Sequence, residues 1–229
     1  MGDDAAEDYR RAMYGAANFA WANRQAMTQA VRRAFRELFG TAEESVELVY
    51  DVCHNIAKEE THEVDGERKD LLVHRKARRG PSPPDTRRSP AYRDAGQPVL
   101  LPGSMGTHSY VLAGGERSME LSFGSTAHGA GRLKSRTQAK KDYTAGDLKQ
   151  RLRGEGVYVK ARSGATVAEE APGAYKDVDE VVRVSDRLGI GTKVARMRPW
   201  RTSRGKLPHP TPSALRASVS SHGRSAPPP

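Results

Sequence analysis

A chain of 229 residues can bury one good core or two small ones. Its composition is 36% hydrophobic and 6% aromatic, with no apolar run near the roughly 18 residues a membrane span needs, and its acidic start, Met1-Gly-Asp-Asp4, is unlike a secretory leader. The formal charge of +10 is concentrated: five charges come from the acid-free tail after Pro199 and a net three from residues 77–90, leaving only two elsewhere, which is weak evidence for a nucleic-acid partner.

In chain order, Tyr9, Met13, Ala16, Ala20, Met27, Val31, Ala34 and Leu38 recur at helical spacing, and the first forty residues read as a long amphipathic helix stopped by Gly40. Val46, Leu48, Tyr50 and Val52 alternate with other residues and predict a strand, with His54 and Asn55 at its end. The single cysteine, Cys53, excludes an internal disulfide and suits a reducing cytoplasm, the expected location. Shorter strands are expected at Leu71–His74, Pro98–Leu101, Ser109–Ala113 and Val157–Ala161. Thr144 with Asp147 predicts a capped helix through Arg153, and a last helix is expected from Ala174 to Leu188, ended by Gly189. The class is α+β, with mixed sheets and flanking helices.

Ser125-Thr-Ala-His128-Gly-Ala-Gly-Arg132 carries the chemistry. An imidazole can attack phosphorus, glycines let backbone N–H groups approach phosphate, and a guanidinium can hold the charge that develops. Alone, the same stretch also reads as a glycine-rich turn with an incidental histidine.

Five further segments accompany it: Ala16-Ala-Asn-Phe-Ala-Trp-Ala-Asn-Arg-Gln25, Tyr50-Asp-Val-Cys-His54-Asn55-Ile-Ala-Lys58, Val73-His-Arg-Lys76, the stretch from Gln97 to Tyr110 containing Pro102-Gly-Ser-Met105, and Glu169-Glu-Ala-Pro-Gly-Ala-Tyr-Lys-Asp-Val178. In that order they resemble the C-terminal half of the RtcB family of tRNA-splicing RNA ligases, from about Tyr9 to Pro199. The resemblance implies GTP- and Mn²⁺-dependent joining of an RNA 3′-phosphate or 2′,3′-cyclic phosphate to a 5′-hydroxyl, through a guanylylated histidine. By motif, His128 is the nucleophile. Asn55, Pro102, Gly103, Ser104, Met105, Ser109, Gly129, Ala130 and Gly131 are implied to hold the nucleotide. Arg132, Arg136 one helical turn later, and Lys76 are implied to face phosphate, and His54 to be a metal ligand. His62, His74 and His108 have no matched role.

Two stretches depart from the family pattern. After Lys76 the pattern continues Gly-Ala-Thr-Arg-Ala-Phe-Pro-Pro-Gly-His, and dropping one base from a GC-rich coding of it yields Ala77-Arg-Arg-Gly-Pro-Ser-Pro-Pro-Asp85. A shifted frame after Pro199 likewise allows the family's Val-Lys-Gly ending. Out-of-frame translation is one reading of residues 77–90 and 200–229; a lineage-specific basic Pro-rich loop and a disordered Pro/Ser tail are the other. Residues 1–199 then form a partial catalytic domain. The Asp-x-x-Cys-Gly and Asn-His-Phe patterns, which supply metal ligands from the family's N-terminal half, do not occur in this sequence, and Arg204 stands where the family has a guanine-contacting lysine. Three functions stay open: a ligase whose other half comes from another chain, with RNA as substrate and an archease-like activator as a further partner; an inactive remnant; and a nucleotide- or RNA-binding module.

Overall fold

The structure, a computed structural model, describes residues 4–42, 45–53, 55–75, 92 and 95–204. His54, Lys76 and the anomalous segment 77–90 therefore lie outside the described residues, as does the tail from Gly205 onward. The class is mixed α/β, with six α-helices and three small sheets among the described residues. The chain divides into two compact units, Met1–Ala17 with Val52–Gly205, and Asn18–Asp51 with Lys206–Pro229.

Helix α1 spans Asp4–Phe39, as its periodicity predicts. Asp4 and Glu7 in its first turn suit the positive end of the helix dipole. Gly40 ends it at φ +67°, its N–H donating to the Arg36 carbonyl at 2.9 Å, the left-handed cap that glycine adopts most easily. No α1 side chain is fully buried: of its apolar stripe, Met13, Ala20, Ala34 and Leu38 are half-buried and Tyr9, Ala16, Met27 and Val31 exposed. The expected strand over 46–52 does not form. No ladder among the described residues includes this segment. Instead Arg32 Nε donates to the Val46 carbonyl at 3.0 Å, and Arg24 Nε meets Asp51 Oδ1 at 2.5 Å.

The larger unit opens its sheets with an antiparallel hairpin, β1 (Ile56–Val64) and β2 (Glu67–Arg75). Asp65 and Gly66, both at positive φ (56° and 79°), make the two-residue turn whose twist matches the strands. Only the end of β2 was expected; β1 reads as polar because Lys58, Glu59, Glu60, Thr61, His62 and Glu63 make up most of it. A three-stranded antiparallel sheet follows, in the order β3 (Pro98–Leu101), β4 (Ser109–Gly114), β6 (Gly191–Met197). Val99 opposes Leu112 and Leu101 opposes Tyr110, so one face of the sheet delivers four buried side chains. Against them pack Val178 and Val182 of α6 (Val178–Arg187). α6 begins later than expected, because Pro172–Ala174 forms a 3-10 turn and Asp177 is the N-cap, accepting from the Asp179 N–H at 2.8 Å. At its end Gly189 (φ +70°) donates to the Asp186 carbonyl and Ile190 to that of Ser185, the paired bonds of a Schellman cap.

A second core joins Met105, Leu148, Leu152, Val157, Val167 and Ala171. It is walled by α4 (Ala145–Gly154) and α5 (Gly164–Glu169), with Val159 and Ala161 of β5 (Tyr158–Ala161) packed against it. Thr144 caps α4 as predicted: its hydroxyl accepts from the Asp147 N–H at 3.2 Å and donates to Asp147 Oδ2 at 2.7 Å. The remaining elements are the short helices α2 (Ser118–Ser122) and α3 (Arg136–Asp142), and β7 (Arg201–Arg204), which pairs in parallel with β5. β7 lies inside the stretch read from sequence as tail.

Candidate functional site

Two loops of the larger unit meet: the turn of residues 125–132 and the loop between β3 and β4. In the first, Ala130 turns into the sheet–α6 core, 5% exposed, and its N–H donates to the Pro102 carbonyl at 3.4 Å. Gly129 lies flat on Pro102; a Cβ there would come within 3.1 Å of the Pro102 oxygen and 3.5 Å of its ring. Gly131 has φ +77° and accepts from the Lys176 N–H at 2.9 Å. Held inward at Ala130, the turn leaves His128 exposed at the surface.

The second loop is built on side-chain bonds to backbone. Gly103 N–H donates to Ser109 Oγ at 3.1 Å, and Ser104 N–H donates to Thr107 Oγ1 at 2.7 Å. Only glycine fits at 103, where a Cβ would sit 1.9 Å from the His108 carbonyl oxygen. Pro102 is exposed and Ser104 buried. Met105 is 0% exposed in the second core, so its side chain packs the loop down. Beside it Tyr110 Oη donates to Asp179 Oδ1 at 2.8 Å, and Arg196 Nη2 reaches Asp179 Oδ2 at 2.7 Å and His108 Nδ1 at 3.0 Å. Burial, and then the bond to Asp179, hold the Tyr110 phenol above its ordinary pKa.

The arginines are engaged by protein. Arg132 Nε donates to the Lys134 carbonyl (3.0 Å), Nη1 to Tyr175 Oη (2.7 Å) and Nη2 to the Glu169 carbonyl (2.6 Å). Its guanidinium also lies 4.7 Å from the Tyr175 ring centre and 3.6 Å from Glu170. Tyr175 Oη in turn donates to Glu170. Arg136 is not one helical turn after Arg132. The intervening residues are not helical, and Arg136 opens α3, 69% exposed and 3.9 Å from the same Glu170. Asn55 sits exposed at the bend leading into β1; among the described residues no hydrogen bond links it to either loop. His54 and Lys76 lie outside the described residues.

Sequence reading missed a buried cluster behind the turn. Arg75, at the end of β2, makes a two-pronged ion pair with Glu60 of β1, 2.6 Å on each arm, and its side chain is 3% exposed. His62 Nε2 lies 2.9 Å from the same carboxylate, and its ring centre is 4.7 Å from that of Phe123, the two rings tilted by 54°. Arg75 also donates from Nε to Ser125 Oγ at 3.1 Å and from Nη2 to the Phe123 carbonyl at 2.5 Å. Only the hairpin register, Glu60 opposite Leu71 with Arg75 four residues on, could have signalled it.

Among the described residues no three His, Cys, Asp or Glu side chains converge as metal ligands. They do not by themselves fit the pair of manganese ions that the family resemblance implies.

A family model described as tRNA-splicing ligase RtcB matches residues 1–205. The chain is similar to the tRNA-splicing ligase RtcB of Thermococcus kodakarensis, 55% identical over 204 residues, which cover 87% of this chain and 42% of that protein. It is 53% identical over 201 residues to the Pyrococcus horikoshii protein of the same name (86% of this chain, 23% of that one), and 50% identical over 202 residues to that of Archaeoglobus fulgidus (87% and 42%). The chain thus spans less than half the length of these curated relatives. The match over most of this chain, and the close approach of two motifs distant in sequence, lead to one conclusion: the chain belongs to the tRNA-splicing ligase RtcB family.

Proposed function

We propose that this chain is the nucleotide-binding and nucleophile-bearing part of a GTP-dependent ligase that joins RNA 3′-phosphate, or 2′,3′-cyclic phosphate, ends to 5′-hydroxyl ends in tRNA splicing or RNA repair. The observation that carries the reading is the packing of Gly129 and Ala130 on Pro102, which sets an exposed histidine beside a loop of glycine and buried serine. His128 supplies a ring nitrogen that attacks the α-phosphorus of GTP. An N–P bond forms, the α–β phosphoanhydride bond breaks, and pyrophosphate leaves. The RNA 3′-phosphate then takes the guanylate from His128, and the 5′-hydroxyl oxygen displaces GMP to form the new phosphodiester. A cyclic phosphate is first opened by water.

The chain's own residues prepare the first step. Ala130 anchors the turn, and Gly129 keeps the Pro102 face clear of side chain so that main-chain N–H groups can approach phosphate. Gly103, Ser104 and Ser109 form the wall for the guanine and ribose, with Pro102, Met105 and Gly131 contributing main chain and Asn55 a further guanylate contact. Arg132 holds the Glu169–Tyr175 segment against the turn, and the exposed Arg136 is the cation available for RNA phosphate. Lys76 and His54 keep the phosphate and metal roles of the resemblance. Manganese would polarise phosphoryl oxygens; its further ligands would come from a separate half of the ligase. A cytoplasmic setting and an archease-like activator complete the proposal.

The experiment incubates the chain with α-labelled GTP and Mn²⁺, alone and with a polypeptide carrying the remainder of a longer relative. Label on His128 with the second polypeptide, abolished by His128→Ala, is the expected result. Label that survives His128→Ala refutes the nucleophile assignment. No label in either mixture, with GTP still bound, would favour a binding module, a reading that the incomplete metal-ligand set among the described residues supports. No label and no binding would leave an inactive remnant.

A further inference from the structure

We propose that Arg75 is a positioning residue for His128: its guanidinium clamps the segment of residues 123–125 onto the β1–β2 hairpin and so fixes where the imidazole stands. The proposal rests on the reading of His128 as the nucleophile, since a clamp on an inert turn would have no chemical purpose.

The geometry is that of a directional fork. Two bonds of 2.6 Å to Glu60 fix the plane of the guanidinium. Its other donors then point along fixed directions, Nε to Ser125 Oγ and Nη2 to the Phe123 carbonyl. Ser125 is held from its other side as well, because Ser122 Oγ donates to the Ser125 carbonyl at 2.6 Å. The clamped turn is not a relaxed one. Phe123 and Gly124 both have positive φ (49° and 65°), and a phenylalanine keeps that conformation only when its surroundings impose it. The Phe123 ring, tilted against that of His62, and its carbonyl, bonded to Arg75, are those surroundings.

Downstream the chain is pinned again where Ala130 enters the core and donates to Pro102. His128 therefore lies between two anchors, Ser125 and Ala130, with only four residues between them. A buried ion pair is weak evidence for stability, since apolar packing serves equally well. What an Arg–Glu fork adds is orientation, which a lysine, a single point donor, would not reproduce.

The test uses the full chain labelled in its histidine rings, with His128→Gln assigning the His128 signal by NMR. Arg75→Lys keeps the charge and loses the fork. The expected result is a shifted or split His128 signal, while the signal of His108, which sits beside Asp179 and Arg196, stays in place. An unchanged His128 signal overturns the proposal. If Arg75→Lys also displaces His108, Ser125→Ala decides: it removes one link, and His128 must then move in Ser125→Ala with His108 still. In the labelling mixture Arg75→Lys should slow guanylylation at saturating GTP by roughly tenfold to a hundredfold, with the half-saturating GTP unchanged. If the native chain takes no label in any mixture, the ligase reading fails by itself, and the NMR result still decides the clamp.

Discussion

Gly103→Ala tests whether the loop between β3 and β4 is as rigid as its bonds imply. The backbone at 103 is not in the left-handed region, so alanine suffers no conformational penalty and the effect is one of space. An added Cβ would stand 1.9 Å from the His108 carbonyl oxygen, where real Cβ atoms keep at least 3.0 Å, so the two strands of the loop must separate by about 1.1 Å. A separation of that size opens two bonds, Gly103 N–H to Ser109 Oγ and Ser104 N–H to Thr107 Oγ1. At about 0.5–1.5 kcal/mol each, their loss destabilises the chain by about 1–3 kcal/mol, the range expected of overpacking. Gly146→Ala is the opposite control: it lies in the first turn of α4 with nothing within 4 Å of its Cβ, and should stabilise by about 0.4–1 kcal/mol. Urea unfolding of both variants, followed by far-UV circular dichroism, gives the comparison. A Gly103→Ala protein within about 0.5 kcal/mol of the parent would show that the loop yields freely, and the account of a pre-set nucleotide wall would be wrong.

Arg75→Met should destabilise by about 1–3 kcal/mol, because it takes the two-pronged partner from a half-buried Glu60 carboxylate that keeps His62 at 2.9 Å, whereas Arg75→Met combined with Glu60→Leu should recover most of that in thermal unfolding. Tyr175→Phe should lose about 1–2 kcal/mol, since the ring stays over Arg132 but the hydroxyl that bridges Arg132 and Glu170 is gone; chemical denaturation reads it. The Asp142 carboxyl is held below its ordinary value first by the hydrogen bond from Lys134, then by that from Gln138. A depressed carboxylate pKa gives stability that is present above the unfolded value of about 3.9 and is lost as pH falls through the lower folded value. Lys134→Met should therefore raise the Asp142 midpoint in an NMR titration, and high salt should do the same to a lesser degree.

What could be read from the sequence divides along the range of the interactions. Gly40, Gly189 and the Thr144–Asp147 cap mark helix ends through bonds to residues a few positions away, and each sits where expected. β3 was legible for the same reason, as a short apolar run between turn residues. The strand expected over 46–52 gives way to bonds from Arg24 and Arg32 of α1, distant contacts that periodicity does not contain. β1 was missed because Lys58, Glu59, Glu60 and Glu63 disguise it, although Asp65-Gly66 is a hairpin signal. At the site, motif reading named the two loops that meet but not the Arg75–Glu60 cluster behind them, which depends on bonds 15 and 50 residues apart in the chain. For Arg132 a phosphate role is implied by motif alone; the structure surrounds it with Tyr175, Glu169 and Glu170.

The order in which these pieces can form differs sharply. β1 and β2 close around a two-residue turn, an event of microseconds once both strands exist. β4 must wait for β6, which pairs with it from Gly114 opposite Gly191 to Ser109 opposite Met197, separations of 77 and 88 residues. At roughly 5–20 residues per second of synthesis, that leaves β4 with one open edge for about 4–18 s after it emerges. Ser109, which accepts the bond from Gly103, lies on that edge, so a translation pause between the codons of Gly114 and Gly191 would lengthen the exposure of one end of the proposed nucleotide wall to wrong strand partners.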